Sequence, residues 1–487
     1  MRMSTGSGSQ AATQRWPNSL VTLAIETSCD DTCVAVLEKE VISSASATSK
    51  TSKTPLRPRA RLLFEERITA DNRAFGGIHP LTSTESHTAA LAPLVQRATA
   101  SLPPAFVKPD FVSVTRGPGM ASSLATGLAV AKGLAVAWQV PLVGVHHMQG
   151  HALTPRLVEA MSVNEKKYEK ASPPVEFPYL SFLVSGGHTM LVHSRSLTDH
   201  RILVATPNIA IGDLLDKCAR AILPRGYIAD AEAEAGRSLP YGALLESFAF
   251  EGGSKGYADY RYPALRRDEM APFIGPGWQL EAPLGKNALR KVLRFDFSGL
   301  NGSVIKLAGG DPPVGGEATA AAAAAVAAPA AVGENGSGSS IDMPEDERRL
   351  LARGTMQQAF EHLASRLLLA LKAGEDAVAE AKAEAGRELE SKPTCLVVSG
   401  GVASNQFLRY VLRSALDVRG YGYLPVVAPP PSLCTDNAAM IAWAGMEMYE
   451  AGWRTDLSIR PIRKWSMDAN ADDGGILGPD GWVKREE

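Results

Sequence analysis

Gly144-Val145-His146-His147-Met148-Gln149-Gly150-His151 follows the apolar run Leu134 to Val143, and its reading decides the fold. The apolar run ends as a strand, Pro141 to Val145, and the histidines then open a helix, so strand and helix alternate here without a long connection. On such a helix His147 and His151 stand four residues apart on one face, close enough to share one metal ion. His146 points about 100° away on the same helix. Far along the chain, Pro429-Pro430-Pro431-Ser432-Leu433-Cys434-Thr435-Asp436-Asn437-Ala438 offers Asp436 at the start of an apolar helical pattern. Two imidazoles and one carboxylate leave positions open for substrate, which points to a working metal.

Working outward, the same alternation recurs. Val21 to Ile25 is a β-rich run, and Val34 to Leu37 resumes it after the polar turn Glu26-Thr27-Ser28-Cys29-Asp30-Asp31-Thr32, which reads as a hairpin. Residues 41 to 60 read as a flexible excursion. A helix is expected from Ser83 to Thr99, a strand from Phe111 to Thr115 followed by Arg116-Gly117-Pro118-Gly119, and a small-residue helix from Ser122 to Gln139. Residues 158 to 176 read as a linker. Tyr179 to Val184 and Cys395 to Val398 are strands ending in Ser185-Gly186-Gly187-His188-Thr189 and Ser399-Gly400-Gly401-Val402. Small residues beyond a strand let backbone N–H groups approach an anion, so two such turns suggest a nucleotide site. The chain has no P-loop and no dinucleotide-binding glycine spacing.

The bulk properties narrow the class. With 487 residues, 45% hydrophobic and 21% charged, the chain is long enough for two or three domains. Fifty Lys and Arg against 52 Asp and Glu give a net charge of −2, so any polyanion must be received on a local basic surface. Residues 250 to 294 carry Arg261, Arg266, Arg267, Lys286, Arg290, Lys291 and Arg294, either a solvated face or an RNA-contacting one. Five scattered cysteines with no C-x-x-C pair fit a reducing compartment. Lys132, Gly and Pro interrupt the longest apolar runs, so no membrane insertion is expected. Residues 1 to about 20 contain Arg2 and Arg15, many Ser and Thr and no acid. That is the composition of an organellar transit peptide, or of a cytoplasmic tail. The Ala-rich stretch 309 to 341 and the polar stretch 373 to 392 read as insertions.

Together, Ile25-Glu26-Thr27-Ser28-Cys29-Asp30-Asp31-Thr32, Arg116-Gly117-Pro118-Gly119, His147-x-x-x-His151, Ser185-Gly186-Gly187-His188-Thr189, Ser399-Gly400-Gly401-Val402-Ala403-x-Asn405 and Leu433-Cys434-Thr435-Asp436-Asn437-Ala438-Ala439-Met440 closely resemble the tRNA adenosine threonylcarbamoyltransferase family, once called O-sialoglycoprotein endopeptidases. The resemblance spans roughly residues 21 to 450. It implies an α/β fold of the actin/hexokinase/Hsp70-like kind (ASKHA), two ribonuclease-H-like lobes with a central cleft. Lobe I would comprise 21–157 plus 425–455 and lobe II 175–424, with insertions at about 250–294, 305–345 and 373–392 and a C-terminal extension at 456–487.

The activity implied is transfer of a threonylcarbamoyl group from threonylcarbamoyl-AMP to the N6 amine of the adenosine beside the tRNA anticodon, releasing AMP. By the same resemblance His147, His151 and Asp436 hold one divalent metal ion, iron or zinc. Ser185, Gly186, Gly187, Asp216, Gly242 and Asn405 contact the adenylate, and the partners are ANN-decoding tRNA and a second copy of the chain in a homodimer. Asp30 and Asp31 are candidates for orienting or deprotonating the amine, or for capping the hairpin. Asp30-Asp31 replaces the usual Asp-Glu pair, Pro240-Tyr241-Gly242-Ala243 the usual Pro-Gly-Gly-Pro, and Ser298-Gly299-Leu300-Asn301 the usual Ser-Gly-Leu-Lys. Ser-Gly-Gly-His-Thr and Asp213-Leu214-Leu215-Asp216-Lys217-Cys218 are similar to the bacterial and mitochondrial branch, and with the acid-poor leader they favour the mitochondrion over the cytoplasm. A kinase or ATPase on the same fold has no need of the His-His-Asp set. A zinc protease needs a glutamate where Met148 stands, and a non-catalytic scaffold would bind nucleotide and transfer nothing.

Overall fold

The computed structural model describes residues 15–16, 18–41, 59–75, 77–102, 107–162, 174–224, 226–236, 239–263, 270–285, 287–309, 343–385 and 392–485. Most of the expected leader and of the stretches 41–60 and 309–341 lies outside them. The strands in chain order are β1 (Ser19–Glu26), β2 (Asp31–Glu40), β3 (Ala60–Thr69), β4 (Phe111–Gly117), β5 (Leu142–His146), β6 (Tyr179–Val184), β7 (Thr189–Ser194) and β8 (His200–Ala205). After them come β9 (Phe273–Gly275), β10 (Trp278–Leu280), β11 (Leu396–Ser399), β12 (Val426–Val427), β13 (Trp453–Thr455) and β14 (Trp482–Lys484).

Two mixed sheets organise the chain. The first runs β14-β13-β5-β4-β1-β2-β3 and the second β12-β11-β6-β7-β8, with β9 and β10 a separate hairpin. In the first, β1, β2 and β3 form an antiparallel meander and β1 continues in parallel into β4 and β5. The second repeats this: β6, β7 and β8 form the meander, and β6 pairs in parallel with β11, which pairs with β12. The parallel strands are largely apolar and buried because helices cover both faces. Val112, Val114, Val143 and Val145 are fully buried in the first sheet, Phe182, Leu183, Val397 and Val398 in the second.

The structure redraws several expected boundaries. β12 belongs to the second sheet, so residues 426–427 stay with β11. Residues 456–487, expected as an extension, supply β14 to the first sheet and bury Ile459, Trp465, Met467 and Ile476. The same stretch crosses to the second sheet, where Asp468 Oδ2 accepts the Ile202 N–H (2.8 Å) and the Ala469 N–H donates to the His200 carbonyl (3.2 Å). Residues 373–385 are the end of one helix, Glu345–Ala385, whose Met356, Phe360, Leu363 and Leu367 are fully buried. The stretch 250–294 also enters this core through Tyr257, Tyr262 and Leu280.

Among the described residues, one helix, Ala121–Trp138, is long and apolar enough to cross a membrane by length and composition, although Lys132 interrupts its sequence. Here it docks Leu124, Leu128, Ala131 and Ala135 in the core, and Lys132 Nζ donates to the Ile459 carbonyl (2.6 Å).

Candidate metal centre and substrate cleft

β5 ends at His146 and the helix His147–Ser162 begins at the next residue, a junction that has to cap itself. His146 does this: fully buried, it accepts the Met148 and Gln149 N–H groups on Nδ1 (3.1 and 3.4 Å), while Nε2–H donates to the Trp465 carbonyl (3.1 Å). His146 therefore ends the strand and caps the helix; it does not lie a hundred degrees round the helix as the sequence suggests.

His147 and His151 face one point. Their rings meet edge to face with centroids 4.8 Å apart, and their Nε2 atoms lie 3.5 and 3.1 Å from Asp436 Oδ1. Asp436 immediately precedes Asn437, whose side chain accepts the Met440 N–H (2.8 Å) to cap the helix Ala438–Glu450. The ligand atoms of the three residues lie within 4.8 Å of one another, so the group could hold a metal ion.

Behind His147 stands Glu26, which sequence reasoning quoted but gave no role. Its Oε2 is 3.3 Å from His147 Nδ1 and accepts the Thr115 hydroxyl, its Oε1 accepts the Ser28 N–H (2.5 Å), and it is fully buried. A carboxylate on Nδ1–H fixes the tautomer that leaves the Nε2 lone pair free for a ligand. Burial opposes charge on His147, but Asp436 and Glu26 outweigh it and raise the imidazole to about 9. Burial likewise opposes ionisation of Asp436, and His147 with His151 holds it below the usual carboxylate range. The donor set, the fixed tautomer and the concentrated negative charge all suit a divalent cation in place of that proton. Glu26→Gln should keep the contact to Ser28 yet weaken metal binding roughly 10- to 100-fold; a metal titration showing unchanged affinity would exclude this supporting role.

In the first Ser-Gly-Gly turn, the Ser185 N–H donates to the His188 carbonyl (2.8 Å) and Ser185 Oγ accepts the His188 N–H (3.0 Å), closing the turn. Gly186 and Gly187 are exposed, and a Cβ on either would meet nothing within 4 Å. His188, also unassigned by the sequence, is pushed down to about 4 by burial and then by the fields of His147 and His151, so this turn lies within electrostatic reach of the metal group. The second Ser-Gly-Gly turn differs. Gly400, at φ +97°, lies so close to β6 that a Cβ would sit 2.4 Å from the Val184 carbonyl oxygen. It joins two strands where the first turn lies open.

Two further sequence candidates meet. Asp216 Oδ1 accepts the Gly242 N–H (3.2 Å). Asn405 is 5% exposed, and its Oδ1 accepts the Leu408 N–H (2.9 Å) to cap the helix Gln406–Val418. Its side chain is thus engaged in the wall itself. In the first turn Asp30 accepts from Asn72 Nδ2 (3.2 Å), and Asp31 accepts the Thr69 hydroxyl with Arg67 3.8 Å away. Burial raises Asp30, and raises Asp31 to about 7.

Asp216 lends itself to a test with a definite sign. Burial lifts its carboxyl from 3.8 to about 6, so the folded protein keeps a proton that the unfolded chain has already released. Its contribution to stability therefore falls as pH rises from about 4 to about 6. Asp216→Asn, which retains an acceptor for Gly242, should melt higher than the parent above that window and match it below. Parallel melting curves across the window would remove Asp216 from this role.

Histidines and carboxylates brought together near a turn with open backbone amides are arranged to hold a charged substrate for group transfer. The sequence profile described as tRNA N6-adenosine threonylcarbamoyltransferase matches residues 62–443. The mitochondrial enzyme of that name from Schizosaccharomyces pombe is 34% identical, covering 96% of this chain and 90% of its own. Those of Rhodopseudomonas palustris (strain HaA2) and Rhizobium etli (strain CIAT 652) are 29% and 30% identical over 94% and 92% of this chain and 96% and 95% of theirs. The chain belongs to the tRNA N6-adenosine threonylcarbamoyltransferase family; it is a transferase that modifies tRNA.

Proposed function

We propose that the chain transfers threonylcarbamoyl from threonylcarbamoyl-AMP to the N6 amine of the adenosine beside the anticodon of ANN-decoding tRNA. The observation that carries this reading is the convergence of His147, His151 and Asp436, within electrostatic reach of which the Ser185-Gly186-Gly187 turn stays open. The turn's amides receive the phosphate, Asp216 accepts from the ribose hydroxyls beside Gly242, and Asn405 shapes the adjoining wall through its helix cap. His147, His151 and Asp436 hold one iron or zinc ion, which when bound supplies charge stabilisation to the substrate's oxygens. The amine nitrogen bonds to the carbamoyl carbon, the carbon–oxygen bond to phosphate breaks, and AMP leaves. Of the two first-turn aspartates, Asp31 is the better suited to take the amine's proton, since its carboxyl sits near 7.

The repeated strand order of the two sheets supports the actin/hexokinase-like, two-lobed reading, and kinship with a mitochondrial enzyme supports work in the mitochondrion. A homodimer completes the proposal. The deciding assay supplies purified chain with threonine, bicarbonate, ATP, a threonylcarbamoyl-adenylate-forming enzyme and unmodified tRNA, and analyses the nucleosides. Threonylcarbamoyladenosine is expected. Its absence when metal-loaded, folded chain is present would defeat the reading.

A further inference from the structure

Of the basic residues that the sequence suggests for RNA, Arg266, Arg267 and Lys286 lie outside the described residues, and three of the other four are occupied. Arg261 donates to the Ala258 and Tyr260 carbonyls and to the Tyr410 hydroxyl, Arg290 to the Gly285 carbonyl, and Arg294 pairs with Asp296. A different set is free. Arg460, Arg463 and Lys464 are exposed within five residues of one another, and none forms an ion pair among the described residues. The nearby carboxylates are engaged elsewhere: Asp456 accepts from Ser458, Asp473 from the Ser466 N–H, and Asp468 from the Ile202 and Asn470 N–H groups.

The backbone beneath these cations is fixed from the other side. Lys132 Nζ donates to the Ile459 carbonyl (2.6 Å), Arg116 Nε to that of Arg460 (3.2 Å) and the Gly119 N–H to that of Arg463 (3.3 Å). In return the Ile462 N–H donates to the Arg116 carbonyl (2.8 Å). Buried Ile459 and Trp465 bracket the segment. At Gly117 an added Cβ would lie 2.1 Å from the Ile462 carbonyl oxygen, so only glycine admits this approach. The segment also adjoins the metal group. Met120, next to Gly119, donates its N–H to the Ser28 carbonyl (2.9 Å), and Ser28 Oγ lies 3.2 Å from His147 Nδ1.

We propose that Arg460, Arg463 and Lys464 form a phosphate-binding ridge that seats the tRNA backbone beside the reaction centre. Three cations on one fixed segment repel one another unless an anion lies across them. A chain of net charge −2 can attract a polyanion only through such a local concentration. Phosphate contacts position a nucleic acid without reading its sequence, which suits an enzyme that must hold several tRNAs in one register. The proposal rests on tRNA being the substrate.

The test compares wild type with the variant carrying Arg460→Gln, Arg463→Gln and Lys464→Gln, and with Arg261→Gln as control. Binding of unmodified tRNA is measured by fluorescence anisotropy over a series of salt concentrations, with metal content and melting recorded. The triple variant should bind at least about tenfold more weakly, and its plot of log affinity against log salt should be shallower by about 2–3, since each phosphate contact contributes about 0.9. KM for tRNA should rise while kcat holds, Arg463→Lys should keep the wild-type slope, and Arg261→Gln should match wild type. Equal affinity and slope in wild type and triple variant would overturn the ridge and leave the tRNA reading standing. Wild type that binds no tRNA would overturn both. If the triple variant melts low, Arg463→Gln alone decides, its slope shallower by about 0.9 or the ridge rejected.

Discussion

Asp436→Ala and His147→Ala are expected to purify folded, without stoichiometric metal, and with transfer activity down by about a thousandfold or more. Losing one ligand in three removes much of the coordination, and the charge stabilisation a bound cation gives is worth several kcal/mol. Folding should persist. The helix after Asp436 keeps its Asn437 cap and its buried Met440, Ile441 and Trp443, and Asp436 itself is 24% exposed. A second readout needs no activity. With Asp436 gone, His147 keeps Glu26 alone against its burial, so its imidazole, about 9 in the parent without metal, should titrate lower by NMR. His79→Ala is the proper control, since His79 serves the start of the helix Pro80–Ala100; His146 caps the metal helix and is no bystander. Full metal content in His147→Ala would end the assignment.

The second large effect comes from ending the chain at Ala451. Residues downstream bury Ile459, Trp465, Met467 and Ile476. At about 1.5–3 kcal/mol for each such side chain, their loss approaches about 6–12 kcal/mol, as much as a typical protein's whole stability. The cut also strands buried donors, Nε2–H of His146 and the Arg116 guanidinium, which lose the carbonyls of Trp465, Arg460 and Asp480. The shortened chain should be insoluble, and Trp465→Ala alone should cost about 3–5 kcal/mol. A soluble truncated chain with parental melting would show the segment to be the appendage its sequence suggests.

What the sequence made legible, and what it hid, follows from where each signal resides. β1, β4, β5, β6 and β11 are rich in apolar residues because they lie between other strands, and burial writes itself into composition. The ligand spacing of His147 and His151 is set by one helix and needs no tertiary knowledge. β3 was invisible, since Arg61, Glu65, Glu66 and Arg67 make it polar, and only its pairing with β2 makes it a strand. β13 and β14 have three residues each and exist through the partners they meet. Glu26 was visible as a residue but not as a support, because its value depends on lying 3.3 Å from a histidine 121 positions away. Asn405 shows the converse, a side chain whose motif suggests ligand contact and whose amide caps a helix.

Asp468 carries a mechanical consequence. Its contact with Ile202, and that of Ala469 with His200, fasten a segment woven into the first sheet to the outer strand of the second. The tie adds to a shared core in which Val143 and Val145 of the first sheet pack with Leu183 and Val192 of the second. Because this C-terminal segment is held by both sheets, a displacement of one sheet is transmitted to the other along it.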